Sequence, residues 1–363
     1  MKRIRVAVIF GGRSAEHEVS LQSARNIITS LDKNTYEPVL IGIGKDGRWR
    51  LHDAARFLLN AENPKLIALN MSGKPIAVVP SGDSDKKLMP ISGKGLVSAD
   101  VAFPVLHGPF GEDGTVQGLL KLLDIPFVGA GVLGSAVGMD KDVQKRLCRD
   151  AGIPMAKFMA FEKGTLPAYE AIVVAVGEPF FIKPANLGSS VGIHKVKTKA
   201  DFAAAVEDAF CYDTKVLAEE CIRGREIECS VLGNEDPIAS VPGEVIPSHE
   251  FYSYEAKYID EKGAVLKIPA LLTGGEIANV QKMAIRVFKA LCLEGMTRVD
   301  FFLKESGEIL FNEVNTIPGF TNISMYPKLW EASGISNTEL IDRLIKLAIE
   351  RHARDGKLRT SHV

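Results

Sequence analysis

Four polar side chains in the last quarter of the chain have the spacing of a metal-binding or ion-pairing cluster on a β-hairpin. Two apolar runs flank Ser306-Gly307, a dipeptide that favours a tight turn. With that turn, Asp300 opposes Glu313, and Arg298 opposes Asn315 further from the turn. Side chains alternate across a strand, so all four share one face. Carboxylate and amide oxygens are ligands that Mg²⁺ prefers, usually with phosphate oxygens completing the shell. The alternative is an exposed face with surface ion pairs, because a one-residue register slip would separate the cluster.

The apolar residues of this hairpin support the same alternation, with one exception. The predicted turn assigns Phe302 and Phe311 to the polar face. The opposite face would carry Val299, Phe301, Leu303, Leu310 and Val314. Asn312 breaks the pattern, because it is a polar residue at a position of the apolar face.

The composition is that of an ordinary globular protein. Hydrophobic residues make up 46% and charged residues 25% of the 363-residue chain, which favours two or three domains. The net charge of −1 gives no electrostatic reason to expect nucleic acid or an anionic membrane as a partner. No apolar run has the length of a membrane span. The five cysteines lack short paired spacings, so we expect reduced thiols and a cytoplasmic location.

The elements that must position these groups begin with a βαβ unit. We predict strands at 4–10, 39–43 and 100–106 and a helix at 14–31, and hence a parallel α/β sheet. Ligands of open α/β sheets bind beyond the carboxyl ends of the strands. Three loops qualify, at 11–18, 107–114 and 129–134. None contains GxGxxG, so a dinucleotide fingerprint is not supported.

Changes of pattern divide the chain into three units. We place an N-terminal α/β domain at 1–138, a central subdomain at 139–233 and a C-terminal subdomain at 234–363. The central unit starts with a helix at 140–151 and continues with strands that lack the strand-loop-helix rhythm of the first unit.

A stretch rich in glycine and serine lies at 183–192, between two predicted strands. Its backbone N–H groups and hydroxyls could surround phosphate oxygens, and Lys183 adds a positive charge. The stretch is not a Walker sequence, and a flexible hairpin loop is an equal alternative. Lys141 begins the helix at 140–151 and, taken alone, reads as a solvated surface lysine.

Three further segments carry polar groups whose role spacing alone leaves open. Glu219, Glu220 and Glu226 could accept hydrogen bonds from an adenine amino group or a ribose, or could be solvated. The aromatic loop 249–260 could be a lid or could cover a core edge. The loop 315–324 could bind a carboxylate or oxyanion, or could be an ordinary Pro-Gly turn. Glu16 suits the amino end of a helix and needs no further role there.

Taken together, these segments resemble the ATP-grasp superfamily and, closely, the D-alanine–D-alanine ligases. The motifs that carry the resemblance occur in order at 10–20, 106–118, 138–141, 182–192, 252–258, 298–300 and 312–321. Each motif is modest alone, but seven in register are specific. The resemblance implies an ATP-grasp fold of the α/β class with an N-terminal parallel α/β domain.

The resemblance also implies roles for individual residues in binding ATP and metal. The nucleotide would be bound by Lys141, Lys183, Ser190, Glu219, Glu226, Lys257 and Asn312. In that set Lys141 and Lys183 contact the α- and β-phosphates, Lys257 the γ-phosphate, Glu219 the adenine and Glu226 the ribose. Two Mg²⁺ ions, which Mn²⁺ could replace, would be bound by Asp300, Glu313 and Asn315.

The substrate roles implied by the resemblance fall on six positions, with His107 near the first substrate. Glu16 would hold the ammonium group of the first D-alanine, and Ser324 the carboxylate of the second. Arg298 and the Gly319 N–H would stabilise the tetrahedral intermediate. Ser189 and Tyr258 would tie a lid over the site.

The implied reaction joins two D-alanines through an acyl phosphate, for peptidoglycan precursor synthesis, in a homodimer without membrane insertion. A D-alanine–D-lactate ligase is the rival in substrate, although a tyrosine at the position of Tyr258 goes with dipeptide formation in the family. A regulatory ATP-binding protein without turnover is the rival of another class. The intact set of Asp300, Glu313 and Asn315 argues against it. A nicotinamide dehydrogenase is not supported, because this chain lacks the glycine fingerprint of that class.

Overall fold

The computed structural model describes residues 2–78, 88–90, 98–188, 190–247 and 264–359. The predicted site residues Ser189, Lys257 and Tyr258, and the whole aromatic loop 249–260, lie outside the described residues. None of the described helices combines the length and hydropathy that a membrane-spanning segment needs.

The first sheet is mixed rather than purely parallel. Its strands are β1 (Ile4–Gly11), β2 (Tyr36–Ile43), β3 (Trp49–His52), β6 (Lys74–Val78), β7 (Leu88–Pro90) and β8 (Val101–Val105), and a separate small ribbon holds β4 (Leu58–Leu59) and β5 (Ala68–Leu69). The order is β7-β6-β3-β2-β1-β8, and β1 is parallel to both neighbours. The predicted parallel unit is therefore confirmed at β2-β1-β8. Strands β3, β6 and β7 add an antiparallel edge to that unit.

Helix α1 (His17–Ser30) follows β1, and α2 (Thr115–Leu122) follows β8 after a long loop. Because β1 and β8 are adjacent and parallel, the loops at their carboxyl ends, 12–16 and 106–114, lie side by side. Helix α3 (Val132–Met139) begins inside the segment 129–134, which its glycines had predicted to be a loop.

The second sheet is antiparallel and belongs to the central part of the chain. Its order is β11-β10-β12-β9, formed by β9 (Phe158–Glu162), β10 (Phe180–Pro184), β11 (His194–Val196) and β12 (Lys215–Glu220). Helices α4 (Lys141–Asp150), α5 (Tyr169–Val176) and α6 (Lys199–Tyr212) accompany it. The Asp140 side chain accepts hydrogen bonds from two N–H groups of the first turn of α4, which fixes the start of that helix at Lys141.

The third sheet carries the hairpin. Its strands are β13 (Arg225–Gly233), β14 (Ile238–Ala239), β15 (Gly243–Pro247), β16 (Ala264–Lys267), β17 (Gly295–Leu303) and β18 (Ile309–Asn315), in the order β16-β15-β13-β17-β18 with β14 beside β13. Helix α7 (Gly274–Ala290) packs on its apolar face, next to β13 and β17. Helices α8 (Met325–Ala332) and α9 (Asn337–Asp355) end the fold and bury apolar side chains against the first sheet.

The predicted register of the hairpin is confirmed at the polar end, and it is wrong near the turn. Arg298 pairs with Asn315 and Asp300 with Glu313, but Phe301 pairs with Phe311. The turn is a three-residue loop, Glu305-Ser306-Gly307, closed by a bond from the Lys304 N–H to the Glu308 carbonyl. Gly307 has φ +83°, the left-handed conformation of the third residue of such a loop.

A β-bulge reconciles the two halves of the hairpin. It lies between Asp300 and Phe301, where Asn312 is the extra residue of β18. Phe311 therefore belongs to the buried apolar cluster with Phe301, and not to the polar face. Leu310 pairs with Phe302 on the polar face, so Leu310 and Phe311 have exchanged the faces predicted for them, and Phe302 keeps its own. Asn312, the one polar residue that broke the predicted alternation, is therefore the residue at the bulge.

Candidate active site

The polar face of the hairpin is organised by Arg298. Its Nε and Nη2 atoms donate to the two oxygens of Asp300, both at 2.7 Å. Asn315 Nδ2 donates to Asp300 Oδ2 at 3.1 Å, from the opposing strand. The two-pronged contact fixes the plane of the Asp300 carboxylate. Three of the four residues predicted to share this face are thus in direct contact.

The neighbouring strand β13 adds two carboxylates to that face. Glu228 pairs with Asp300 and Glu226 with Phe302 in the β13–β17 register. Glu228 Oε2 lies 2.9 Å from Arg298 Nε, so the guanidinium bridges two acids. Glu226 was predicted from the sequence and Glu228 was not. The missed signal was the spacing of two between them, which puts both on one face of a strand.

A basic cluster flanks the hairpin on the side of the second sheet. Lys141 Nζ lies 3.3 Å from Glu313 Oε2 and donates to the Leu187 carbonyl at 2.6 Å. Lys183 Nζ lies 3.2 Å from Glu219 Oε1, and Lys145 Nζ lies 3.2 Å from Glu219 Oε2. Lys141 therefore links the predicted metal residues to the predicted phosphate loop.

The charges of this cluster are set by burial and by one another. Burial alone would raise the pKa of Glu219, but Lys145 and Lys183 outweigh it and hold that pKa below its usual value. Burial alone would lower the pKa of Lys183, and the Glu219 and Glu313 carboxylates reverse that effect. The pKa of Lys145 is lowered by burial, which Glu219 only partly opposes. Both oxygens of Glu219 are engaged by ammonium groups.

The loops after β1 and β8 close the other side of the site. His107 is buried, and its Nδ1 lies 2.9 Å from the Ile317 carbonyl oxygen. Glu112 accepts from the Ile317 N–H at 2.9 Å and from the Gly108 N–H at 2.8 Å. Both contacts join the first sheet to the loop that leaves the hairpin. Glu16 lies beside them, with Oε2 3.0 Å from where a Cβ on Gly108 would stand, and the φ of +73° at Gly108 favours glycine there.

Two titratable groups near Glu16 have shifted pKa values. Burial, followed by the nearby Glu16 carboxylate, raises the pKa of Glu112 to about 8. Burial lowers the pKa of His107, although Glu16 and the Ile317 carbonyl oppose the change. A neutral imidazole and a largely protonated Glu112 at neutral pH leave Glu16 as the acid best suited to meet a cationic group.

The loop after the hairpin is held by its own hydroxyls. Ser324 Oγ accepts from the Thr321 N–H at 2.9 Å and lies 2.8 Å from Thr321 Oγ1. A Cβ on Gly319 would stand 2.7 Å from Ser324 Oγ, so the missing side chain allows the hydroxyl to lie against the backbone. Ser324 precedes the first residue of α8.

One cavity of about 150 Å³ brings most of the predicted site residues together. Its lining includes Glu16, Glu226, Arg298, Asp300, Asn312, Glu313, Asn315, Gly319 and Ser324. His107, Glu112 and Glu228 also line it. Lys141, Lys183 and Glu219 are not among the lining residues, and Lys141 contacts one of them, Glu313. Ser190 is not among the lining residues and has φ +61°.

The bulge explains why consecutive residues both line the cavity. In a regular strand Asn312 and Glu313 would point to opposite faces. The extra residue in β18 lets both side chains line the cavity, and Asn315 follows on the same face.

The residues predicted to bind Mg²⁺ fit that ion by donor chemistry. Asp300, Glu313 and Asn315 offer two carboxylates and an amide oxygen on one face. Hard cations bind such oxygens, and Mg²⁺ usually completes its shell with water and phosphate oxygens. Among the described residues, no group of three or more histidine, cysteine, aspartate or glutamate side chains is arranged to hold a metal. The three residues would therefore need ligands from a bound nucleotide.

Comparison with known proteins finds one family over most of the chain. Family models described as "D-ala D-ala ligase N-terminus" and "D-ala D-ala ligase C-terminus" match residues 5–130 and 147–346. A D-alanine–D-alanine ligase of Oceanobacillus iheyensis is 54% identical over 359 residues, 98% of each chain.

Two solved structures are similar over nearly the whole chain. The D-alanine–D-alanine ligase of Coxiella burnetii has a TM-score of 0.86 and 40% identity, with 98% of this chain and 97% of that chain covered. The VanG D-Ala:D-Ser ligase of Enterococcus faecalis has a TM-score of 0.84 and 38% identity, with 96% and 100% covered.

The fold and the site define an ATP-grasp enzyme, a class of ATP-dependent ligases. Within that class, both family models and the relative at 54% identity cover most of this chain. The chain belongs to the D-alanine–D-alanine ligase family, and the family resemblance inferred from the sequence motifs is confirmed.

Proposed function

We propose that this chain joins two molecules of D-alanine to D-alanyl-D-alanine through an acyl phosphate, with ATP converted to ADP and phosphate. The observation that carries the proposal is the single cavity that Glu16, the hairpin face and the 317–324 loop line together. A cation-binding acid, a candidate metal face and an oxyanion-binding loop in one cavity are what a carboxylate–amine ligation needs.

In the first step, a carboxylate oxygen of the first D-alanine attacks the γ-phosphorus and ADP leaves. Glu16 pairs with the ammonium group of that D-alanine and orients its carboxylate. Lys141 and Lys183 bind phosphate oxygens, and Lys257 is proposed for the γ-phosphate. Phosphoryl transfer depends mainly on positioning and charge neutralisation. Magnesium bound by the hairpin face would neutralise charge on the transferred phosphoryl group.

In the second step, the amine of the second D-alanine attacks the acyl carbon, loses a proton, and inorganic phosphate leaves. Ser324 binds the carboxylate of that second D-alanine. The carbonyl oxygen gains negative charge as the tetrahedral intermediate forms. Arg298 and the Gly319 N–H stabilise that charge, as fixed donors do in other acyl transfers. Exclusion of water protects the acyl phosphate, a role proposed for Ser189 and Tyr258.

The nucleotide base and sugar are assigned to the remaining polar groups. Glu226 and Asn312 line the cavity beside the hairpin face, which supports contacts with the nucleotide there. Glu219 is proposed to meet the adenine and Ser190 the phosphates. Two Mg²⁺ ions, replaceable by Mn²⁺, a homodimer, and a cytoplasmic location stay predictions from the family resemblance. Light scattering of the purified protein tests the dimer.

The test is an assay of phosphate release with separate second substrates. Purified protein receives ATP, Mg²⁺ and either D-alanine, L-alanine, D-alanine with D-serine, or D-alanine with D-lactate. We expect D-alanine alone to support phosphate release and dipeptide formation seen by mass spectrometry. D-serine is included because the VanG structure, titled a D-Ala:D-Ser ligase, is 38% identical. Phosphate release that does not depend on D-alanine would overturn the proposal.

A labelled substrate tests the acyl phosphate separately. D-alanine carrying ¹⁸O in its carboxylate should transfer one labelled oxygen to the released phosphate, because that oxygen becomes the bridge of the acyl phosphate. Formation of dipeptide together with unlabelled phosphate would exclude the acyl phosphate intermediate, although the ligation itself would still be supported.

A further inference from the structure

Lys145 has no role in the proposed reaction, yet it is one of the most deeply buried charged groups of the described chain. It lies in α4, one helical turn after Lys141, and only 1% of its surface is exposed. Its Nζ lies 3.2 Å from Glu219 Oε2 and donates to the Asn312 carbonyl at 3.2 Å. A buried ammonium group is costly unless paired, so these contacts must compensate its desolvation.

The first contact divides the charge of Glu219 between two lysines. Lys183 holds Oε1 and Lys145 holds Oε2, each at 3.2 Å. If Lys145 were uncharged, Lys183 would have to balance the buried carboxylate by itself. Its ammonium group would then be drawn towards Glu219 and away from the phosphates that we assign to it.

The second contact reaches the bulge of the hairpin. Lys145 Nζ donates to the carbonyl of Asn312, the extra residue of β18. The preceding helical residue supports the same strand, because Gln144 Oε1 accepts from the Val314 N–H at 3.3 Å. Helix α4 therefore holds the bulged backbone on both sides of Glu313.

We infer that Lys145 is a positioning residue that holds Glu219 and the Asn312 carbonyl, and so fixes the spacing between Lys183 and the Asp300–Glu313–Asn315 face. This inference rests on the proposed function, since it concerns the nucleotide that the two groups share. It assigns Lys145 an action through its neighbours and no contact with substrate.

The test compares Lys145→Met with Arg146→Met. Arg146 is the next residue of the same helix, with 60% of its side chain exposed and an ion pair to Asp142 at 2.7 Å. We expect Lys145→Met to raise the KM for ATP by about tenfold or more, with the KM for D-alanine unchanged. Arg146→Met should change neither, and Lys145→Arg, which keeps the charge, should recover part of the loss. An ATP KM equal to that of Arg146→Met, with only a lower melting temperature, would overturn the inference.

A double-variant cycle separates positioning from stability. Glu219→Gln removes the charge that Lys145 balances, so adding Lys145→Met to that background should raise the ATP KM much less than in the wild type. An equal effect in both backgrounds would overturn the inference. If Lys145→Met alone does not fold, Lys145→Gln, which is also uncharged but keeps a hydrogen-bond donor, replaces it in both backgrounds of the cycle.

The proposed function and this inference fail in different ways. Absence of D-alanine-dependent turnover in the wild type would remove the proposed function. Calorimetric titration of each variant with a non-hydrolysable ATP analogue would still measure the effect of Lys145. A wild-type enzyme with full activity and a Lys145→Met variant with unchanged analogue affinity would remove only the inference.

Discussion

Glu16 offers the sharpest test of the proposed first substrate site, because its alternative role is purely structural. It precedes the first residue of α1, where an acid favours the helix dipole. Its side chain makes no capping hydrogen bond to that helix. It instead lines the cavity, beside His107 and Glu112. Replacing Glu16 by Gln removes the charge and nearly preserves the shape.

The expected magnitude follows from the environment of the carboxylate. A helix-end acid contributes about 0.3–1 kcal/mol to stability. Losing one partner of an exposed ion pair costs up to about 1 kcal/mol, and of a buried pair about 3–5 kcal/mol. Glu16 is partly buried, so an intermediate loss of about 2.7 kcal/mol is expected, or roughly a hundredfold in the affinity for the first D-alanine.

The assay is steady-state kinetics with varied D-alanine, together with ATP-analogue affinity and melting temperature. Only the D-alanine dependence should change. Glu18→Gln is the matched control, because Glu18 lies in the first turn of α1 and pairs with Lys45 at 2.7 Å. Equal small effects of the two substitutions, or a Glu16→Gln effect seen mainly in the melting temperature, would leave Glu16 as a helix-end residue only.

Three further outcomes are expected. Glu313→Gln should lower turnover by about tenfold or more at limiting Mg²⁺, because it removes one of two candidate carboxylate ligands. Part of the turnover should return at high Mg²⁺, and unchanged turnover at limiting Mg²⁺ would exclude Glu313 as a ligand. Burial lowers the pKa of His52 from 6.5 to about 4, so the unfolded state binds more protons in that range and stability should fall as pH drops from about 6.5 towards 4. In chemical denaturation at several pH values, His52→Phe should make that fall shallower, whereas His352→Gln at a half-buried position should not. Parallel pH profiles for His52→Phe and the wild type would argue against this. Phe288→Ala should cost about 3–5 kcal/mol in urea unfolding, because Phe288 is fully buried in α7, whereas Leu122→Ala at a largely exposed position should cost little; similar losses in both variants would contradict the assigned core.

The parts of the fold that follow from local pattern were predictable. The helix predicted at 140–151 is α4, and the parallel strands β1, β2 and β8 follow from buried apolar runs. Helices α3, α5 and α8 were missed, and two of them have a local reason. Helix α3 contains two glycines, which indicate a loop, and α8 has Pro327 at its third position, where the first turn of a helix tolerates it.

The parts of the site that depend on distant contacts were not predictable. In the sequence Lys145 is one more helix lysine, whereas the fold buries it and compensates its charge with Glu219 and the Asn312 carbonyl, both far along the chain. Glu112 likewise joins its own loop to Ile317, which lies more than 200 residues away. A sequence motif indicates residues that would contact the substrate. The residues that position them become visible only in the folded structure.

The hairpin shows why a site can be predicted correctly from an incorrect turn. A two-residue turn was predicted, whereas the three-residue loop shifts the strands by one position near Gly307. That shift alone would exchange the two faces of β18 and bury Glu313 in the apolar cluster. Asn312, as an added residue, shifts the register back, so Asp300 meets Glu313 as the alternation required. The polar pattern therefore constrains the register at the site more strongly than the turn does, since carboxylates facing the core would be far more costly than one unpaired residue in the ladder.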